Sequence, residues 1–292
     1  MRLITFTHNG STRIGRLNGE SITDLSQSNP DLPTDMVAFL EAGDVAMDAA
    51  RAAQGDHLKL SDVKLESPVL RPSKMLAVAL NYCDHLEEVQ EARPEFPTPT
   101  VPILFTKQNT SVNGPYDPIY LPKESEQLDY EAELAIVIGK RARRVPKERA
   151  MEVVAGSTIN NDVTIRDWQL ASPTMTIGKS WDSHCPLGPS IVTLDEVDPT
   201  NLDFTCTVNG EVRQKSNTSN LIFDIPTLIE HVSTAFTLMP GDVILTGTTS
   251  GVALWMPGQP WLKEGDKVRV EIDQLGAIEN EVVADPVGTV IG

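Results

Sequence analysis

The residues best suited to chemistry stand in the stretch LDYEAELAIVIGK, residues 128 to 140. Glu131 and Glu133 lie two positions apart at the entry to an apolar run. In a strand, side chains at i and i+2 share a face. The two carboxylates then converge, with Asp129 on the same face. Convergent carboxylates repel each other unless a cation sits between them. Hard divalent cations such as Mg²⁺ take oxygen ligands and keep several waters. Taken alone, the pair would also fit a solvated face on an edge strand. A third acid, Asp162, at the apolar-to-polar junction of AGSTINNDVTIRDWQ, turns the reading toward a metal site.

Other candidates follow along the chain. In TIRDWQ, read as a helical turn, Arg166 and Gln169 are three apart and share a face. With Asp162 they could meet a metal and an oxygen-rich ligand together, or simply cap a helix. Lys179, in the loop TIGKSWDSHCPLGP, is either a solvated lysine or a point cation for an oxyanion. TGTTSGV, residues 246 to 252, follows an apolar strand and can present backbone N–H groups to an anion. It lacks the lysine and spacing of a P-loop, so nucleotide binding is unsupported. His85 and Glu88 are at i and i+3. On a helix they can pair, and a carboxylate that holds an imidazole makes a general base. Of the remaining histidines, His8 and His57 read as surface residues and His231 as a packing or capping residue. His184, near Lys179, stays ambiguous.

These residues need a scaffold. Residues 1 to 70 read as a small leading α+β domain. MRLITFTHNGSTRIGRLNGESITDL alternates strand-like pieces with turn signals, as a meander does. DMVAFLEAGDVAMDAARAAQG then has helical periodicity broken at Gly43. Residues 71 to 292 are expected to form a second, mostly β domain, a sandwich or roll with few helices. Its candidate strands include KMLAVALNY, PILFTKQ, PIYLP, DYEAELAIVIG, AGSTINND, CPLGPSIVT, DFTCTVNGEVRQ, GDVILTGT, DKVRVEID and IENEVVAD. KERAMEVVAG and IPTLIEHVSTAF are expected helices. DHLEEVQEARPEFPTPTVP opens as a helical turn, and Pro94, Pro97, Pro99 and Pro102 then forbid regular structure. That segment reads as a surface connector or a lid.

Composition narrows the function. The chain has 292 residues and a net charge of −17. Its only basic cluster is Lys140, Arg141, Arg143 and Arg144, which argues against a nucleic-acid partner. An anionic substrate would need local cations or a metal to offset that surface. Three cysteines, Cys83, Cys185 and Cys206, match no zinc spacing and read as reduced thiols. There is no signal-peptide pattern and no apolar run near the roughly 20 residues that span a bilayer. The expectation is a cytoplasmic protein without a membrane partner.

The ordered set NYCDH..E, LDYEAELAIVIGK, NDVTIRDWQ, GKSWDSHCPLGP and LTGTTSGV resembles the fumarylacetoacetate hydrolase family across residues 71 to 292. Residues 1 to 70 resemble the short N-terminal domain of its bacterial members. The resemblance implies a β-roll or mixed β-sandwich, usually a homodimer, with Mg²⁺ or Mn²⁺ in the site. It places Glu131, Glu133 and Asp162 on the metal carboxylates. It places His85 and Glu88 on the water-activating pair, carried by a segment that orders over the substrate. Lys179 falls on the lysine that stabilises developing negative charge. Arg166, Gln169 and Thr248 fall on substrate contacts. Two positions depart from the pattern: Thr249 replaces a frequent proline, and Trp181 stands where phenylalanine is common.

The implied activity is metal-dependent hydrolysis of a C–C bond in a 1,3-dicarbonyl or acylpyruvate-type keto acid. Water is activated by His85 and Glu88, and the leaving enolate is stabilised by the metal and Lys179. Alternatives are decarboxylation of oxaloacetate or a related β-keto acid, and oxaloacetate tautomerisation. A non-catalytic domain that binds small acids is a third class, disfavoured by the full set of acids, His–Glu pair and lysine.

Overall fold

The computed structural model describes residues 1 to 291. Its architecture is built around the strand Ala132–Ile138, every residue of which is buried. A strand that is buried on both faces reads as a continuous apolar run, as this one does. It pairs antiparallel with Val154–Asn161 on one side and Val243–Thr248 on the other. Its side chains alternate. Leu134, Ile136 and Ile138 enter one core cluster together with Phe204, Val270 and Ile278. Glu133 points with Ala135 and Val137 to the opposite face.

The central strand belongs to a twelve-stranded sheet. Beyond Val154–Asn161 the sheet continues through Cys185–Val192 to the leading strand Arg2–His8. Beyond Val243–Thr248 it continues through Met75–Ala79 to Ile103–Thr106. The expected N-terminal meander, Arg2–His8, Ser11–Asn18 and Ser21–Asp24, therefore extends the same sheet. Helices Met36–Glu41 and Gly43–Ala52 follow it, with Gly43 at a φ of 69° where the periodicity breaks. They bury Phe39, Leu40, Ala46 and Ala50 in one cluster with Val137, Ala155 and Ile191.

A second, five-stranded sheet runs Glu211–Asn217, Asp203–Val208, Lys267–Ile272, Gly276–Ala284, Ile119–Leu121. Its first two strands are the expected hairpin, turning at Asn209 and Gly210 with positive φ. The two sheets enclose the main core, and the helix Ile225–Ala235 adds Leu228, Ile229 and Val232 to it. This is the expected mixed β-sandwich.

Three local expectations change. The stretch around Asp129 is not one continuous strand. Leu128–Asp129 pairs with Thr164–Ile165 in a separate ladder, and the chain breaks at Tyr130 and Glu131 before the central strand begins. KERAMEVVAG forms a 3₁₀ helix over Lys147–Val153, and its last three residues enter the strand Val154–Asn161, opened by the β-branched Val154. His231 is exposed on its helix rather than packed.

No helix among the described residues is long and apolar enough to cross a membrane. All three cysteines are free thiols.

The weight of the central strand can be measured. Ile136 is 1% exposed, so Ile136→Ala should lower unfolding free energy by about 2–5 kcal/mol through lost burial and a residual cavity. Val212, 57% exposed, should change it by less than about 0.5 kcal/mol on truncation to alanine. Urea denaturation that gives equal midpoints for the two variants would contradict this layering.

Candidate active site

The site forms where the central strand begins. Glu131 precedes the strand and Glu133 is its second residue. The neighbouring strand ends at Asn161, and Asp162 follows it. Cross-strand bonds fix this end: Asp162 N donates to Glu131 O at 2.8 Å, and Glu131 N donates to Asn161 Oδ1 at 2.9 Å. One carboxylate oxygen from each of Glu131, Glu133 and Asp162 lies within 4.8 Å of the others, and all three residues are buried.

Cations meet two of these acids. Lys179 Nζ donates to Glu131 Oε2 at 2.6 Å and to Asp162 Oδ2 at 2.9 Å. It is 2% exposed, so the solvated-loop alternative fails. Its ammonium also lies 5.1 Å from the Phe105 ring centre. Lys107, which sequence reasoning passed over as part of a strand, donates to Asp162 Oδ1 at 2.5 Å and to Val163 O at 3.3 Å. Arg166 Nη2 lies 2.7 Å from Glu131 Oε1, an ion-pair distance without hydrogen-bond alignment.

Asp129 does not join the three. Its Oδ2 accepts from Arg166 Nε at 2.8 Å, and its oxygens also accept from the backbone N–H groups of Tyr130, Ala253 and Leu254. The break after Asp129 cancels the shared-face argument, and Asp129 instead aims Arg166. Arg166 opens the short helix Arg166–Leu170, and its Nη1 donates to Gln169 Oε1 at 2.9 Å, as the spacing predicts.

Glu133 differs from its neighbours. No ion pair reaches it among the described residues, and the one hydrogen bond to its carboxylate is from Gly247 N at 3.1 Å. Gly247 has a φ of 104°, and a Cβ there would press on Asn81 and on Val78 O, so only glycine brings that N–H to the acid. Burial, with Asp162 and Glu131 nearby, raises the Glu133 pKa well above its ordinary value. Burial also acts to raise Asp162, but Lys107 and Lys179 outweigh it and hold that carboxyl below its ordinary value. A buried carboxylate without a cation is costly. Three convergent oxygen donors, one of them lacking a counter-charge, fit a hard divalent cation.

His85 and Glu88 occupy the helix Cys83–Ala92, which ends at Arg93, the residue before Pro94. His85 Nδ1 and Glu88 Oε2 are 2.8 Å apart. With the imidazole neutral, Nδ1–H donates to the carboxylate and Nε2 keeps its lone pair. His85, Glu131, Arg166, Gln169, Lys179 and Thr248 all line one cavity of about 260 Å³. Its remaining walls are mainly apolar, including Val89, Phe105, Leu170, Leu254 and Trp255. A larger cleft of about 950 Å³, between Leu121–Glu126 and Gly258–Lys263, holds none of these residues.

Thr248 lines the cavity with its hydroxyl already engaged. Oγ1 donates to Ala132 O at 2.9 Å and accepts from Gln214 Nε2 at 2.9 Å. Gln214, buried on the second sheet, is another residue the sequence did not single out. Its Oε1 accepts from Ala132 N at 2.9 Å, so it ties the acid-bearing strand to the Gly-rich loop. His184 is resolved as structural: Nε2 bonds Tyr120 O at 2.7 Å, and burial pushes its pKa down to about 3. Trp181 packs edge-on against Trp168 at 5.1 Å and does not line the cavity.

The chain matches the family described as fumarylacetoacetate (FAA) hydrolase C-terminal over residues 74 to 283. It belongs to the fumarylacetoacetate hydrolase family. A Rattus norvegicus protein named oxaloacetate tautomerase Fahd2a, mitochondrial, is 44% identical, covering 97% of this chain and 92% of its own. The solved fumarylacetoacetate hydrolase of Exiguobacterium antarcticum superposes with a TM-score of 0.84 at 37% identity, covering 97% of this chain and 99% of its own. A Sphingobium maleylpyruvate hydrolase, solved with manganese(II) and pyruvate, does so with a TM-score of 0.77 at 33% identity, covering 98% and 100%. The family relatives thus include tautomerases and hydrolases, and the chain is an enzyme of this group.

The charge pattern predicts opposite effects of two variants in metal-free protein. A carboxyl whose folded pKa is raised opposes folding once ionised. Glu133 should therefore cost stability as pH rises above 4.5, its ordinary value, through its folded value. Asp162, with a lowered pKa, contributes stability above 3.8 that is lost as pH falls. At neutral pH after chelation, Glu133→Gln should melt above wild type and Asp162→Asn below it. Mg²⁺ or Mn²⁺ should raise the wild-type Tm and leave Glu133→Gln nearly unmoved. Equal metal responses would remove Glu133 from the metal set.

Proposed function

We propose that this enzyme interconverts the enol and keto forms of oxaloacetate or a closely related 2-oxo diacid. The observation that carries this reading is the placement of a carboxylate-oriented imidazole in the same small cavity as Lys179 and Glu131, the member of the acid cluster that lines it. The rat relative's name favours tautomerisation over the hydrolysis expected from the motifs. A divalent cation held by Glu131, Glu133 and Asp162, either Mg²⁺ or Mn²⁺, would supply Lewis-acid polarisation of the 2-oxo group.

The chain's own groups do the rest. In the keto-to-enol direction, His85 Nε2 takes a proton from C3 while Glu88 holds the imidazolium through Nδ1–H. The electron pair moves to the C2 oxygen, where Lys179 and Arg166 offset the negative charge. Reprotonation at that oxygen completes the isomerisation, with no atom gained or lost. Gln169 and Thr248 line the space for the substrate's carboxylates. The apolar walls limit water, which strengthens these charge interactions.

Hydrolysis of an acylpyruvate is the second reading. It is favoured by the likeness to the maleylpyruvate hydrolase solved with pyruvate. In it, the same imidazole would deprotonate a water. We also propose a homodimer, which sedimentation would test. The word mitochondrial belongs to the rat relative; a cytoplasmic location for this chain stays an expectation from its acidity and free thiols.

The test follows enol-oxaloacetate absorbance with Mg²⁺ and Mn²⁺, with mass identification of products to detect CO₂ loss. The same enzyme is offered acylpyruvates. Wild type should accelerate ketonisation, and His85→Ala should lose about 10²–10⁴-fold. Relaxation at the uncatalysed rate, together with acylpyruvate cleavage, would hand the assignment to the hydrolase reading.

A further inference from the structure

Thr249 stands where the family pattern has a proline, and its surroundings show what the hydroxyl does. Thr249 is fully buried, and its Oγ1 donates to Asp84 Oδ2 at 2.6 Å. Ser216, on the second sheet, donates to the same oxygen at 2.7 Å. The other oxygen of Asp84 accepts from the backbone N–H of His85 at 2.8 Å. Asp84 thus joins the Gly-rich loop, the second sheet and the residue that carries the imidazole.

The loop meets the same helix once more. Gly251 N donates to Glu88 Oε1 at 2.8 Å, leaving Oε2 for His85. Gly251 has a φ of 97°, and a Cβ there would strike Arg213 O, so the approach depends on glycine. Farther along, the Arg93 guanidinium lies 5.4 Å from the Trp255 ring centre. The loop itself is fixed, because Gln214 Nε2 donates to Thr249 O and Thr248 Oγ1, both at 2.9 Å, while its Oε1 holds Ala132.

We infer that Thr249, supported by Ser216 and acting through Asp84, is a positioning residue for His85. A hydrogen-bonded relay runs from Ala132 beside the acids, through Gln214, to Thr249, Asp84 and His85. It sets where the imidazole stands relative to Glu131, Glu133 and Asp162. A proline at this position has no hydroxyl and could not make the bond to Asp84. The inference rests on the reading of His85 as the proton-transfer group.

The test compares Thr249→Val, Thr249→Ser and Ser216→Ala in the full-length enzyme with Mg²⁺. Thr249→Val keeps the shape and removes the donor. Hydrogen bonds to charged groups are strong enough for the helix peptide 83–92 to exchange about 10-fold faster in this variant. Its kcat should fall by about 10-fold or more, because small misplacements of catalytic groups are costly. KM should stay within about threefold, since ground-state contacts remain. Thr249→Ser should restore both readouts, and Ser216→Ala should give a smaller loss in the same direction. Unchanged kcat in Thr249→Val, or a loss that Thr249→Ser does not restore, would overturn the positioning role. His85→Ala is run alongside. If that variant keeps wild-type activity, the fault lies with the assignment of His85 and not with the relay.

Discussion

Charge balance in a closed space is the constraint on which this site depends. Asp129, Glu131, Glu133 and Asp162 are buried together, against the buried cations Lys107, Arg166 and Lys179. Each cation is tied to at least one acid, and Glu133 is left with only a backbone N–H. Removing Arg166 would leave the buried Asp129 carboxylate without a cation, which is more damaging than never having buried the pair. The fold answers by locking the ends of neighbouring strands with main-chain bonds, so that the charges cannot drift apart. Among the described residues, Glu133 is thus the acid left without a partner cation, where an added divalent ion has most to offer.

This arrangement explains why the acids sit on the sheet. Ala132–Ile138 is flanked by strands on both sides, and its two faces belong to different cores. Side chains at its entry are aimed by a backbone that has little freedom to move. The imidazole has a different support. It rides on the helix Cys83–Ala92, attached to the sheet mainly through side chains and a Gly-rich loop. The three acids are thereby set by main-chain geometry, and His85 by a few side-chain hydrogen bonds that single substitutions can alter.

Local spacing made some of this legible. The two-residue step from Glu131 to Glu133, the three-residue steps in the pairs His85–Glu88 and Arg166–Gln169, and the turn at Asn209 all depend on neighbours in sequence. Each of these steps appears in the structure. Asp129 misled because periodicity assumes an unbroken strand, and the ladder changes partner after it. Lys107 and Gln214 could not be found this way. Lys107 meets Asp162 across 55 residues, and Gln214 meets Ala132 across 82. Their partners are set by sheet topology, which no local pattern encodes. Lys179 had a signal, but its burial did not, because a lysine between glycine and serine gives no hint of the acids that neutralise it.

The same imidazole can serve isomerisation or hydrolysis, so the cavity around it carries the distinction. Both reactions benefit from a polarised 2-oxo group and from cations beside the developing negative charge. Hydrolysis also requires a water held against Nε2 and in line with a second carbonyl. Isomerisation requires that position to be filled by the substrate's own C3, with water kept out. Val89, Phe105 and Leu254 offer such a water no polar partner from their side chains. An ordered water typically needs two to four such partners. The cavity, about 260 Å³, suits a short diacid better than a long acyl chain with a water beside it. On the proposed reading, the apolar side of the cavity favours moving a proton on and off carbon over delivering hydroxide, within a frame of acids and lysines that would support either.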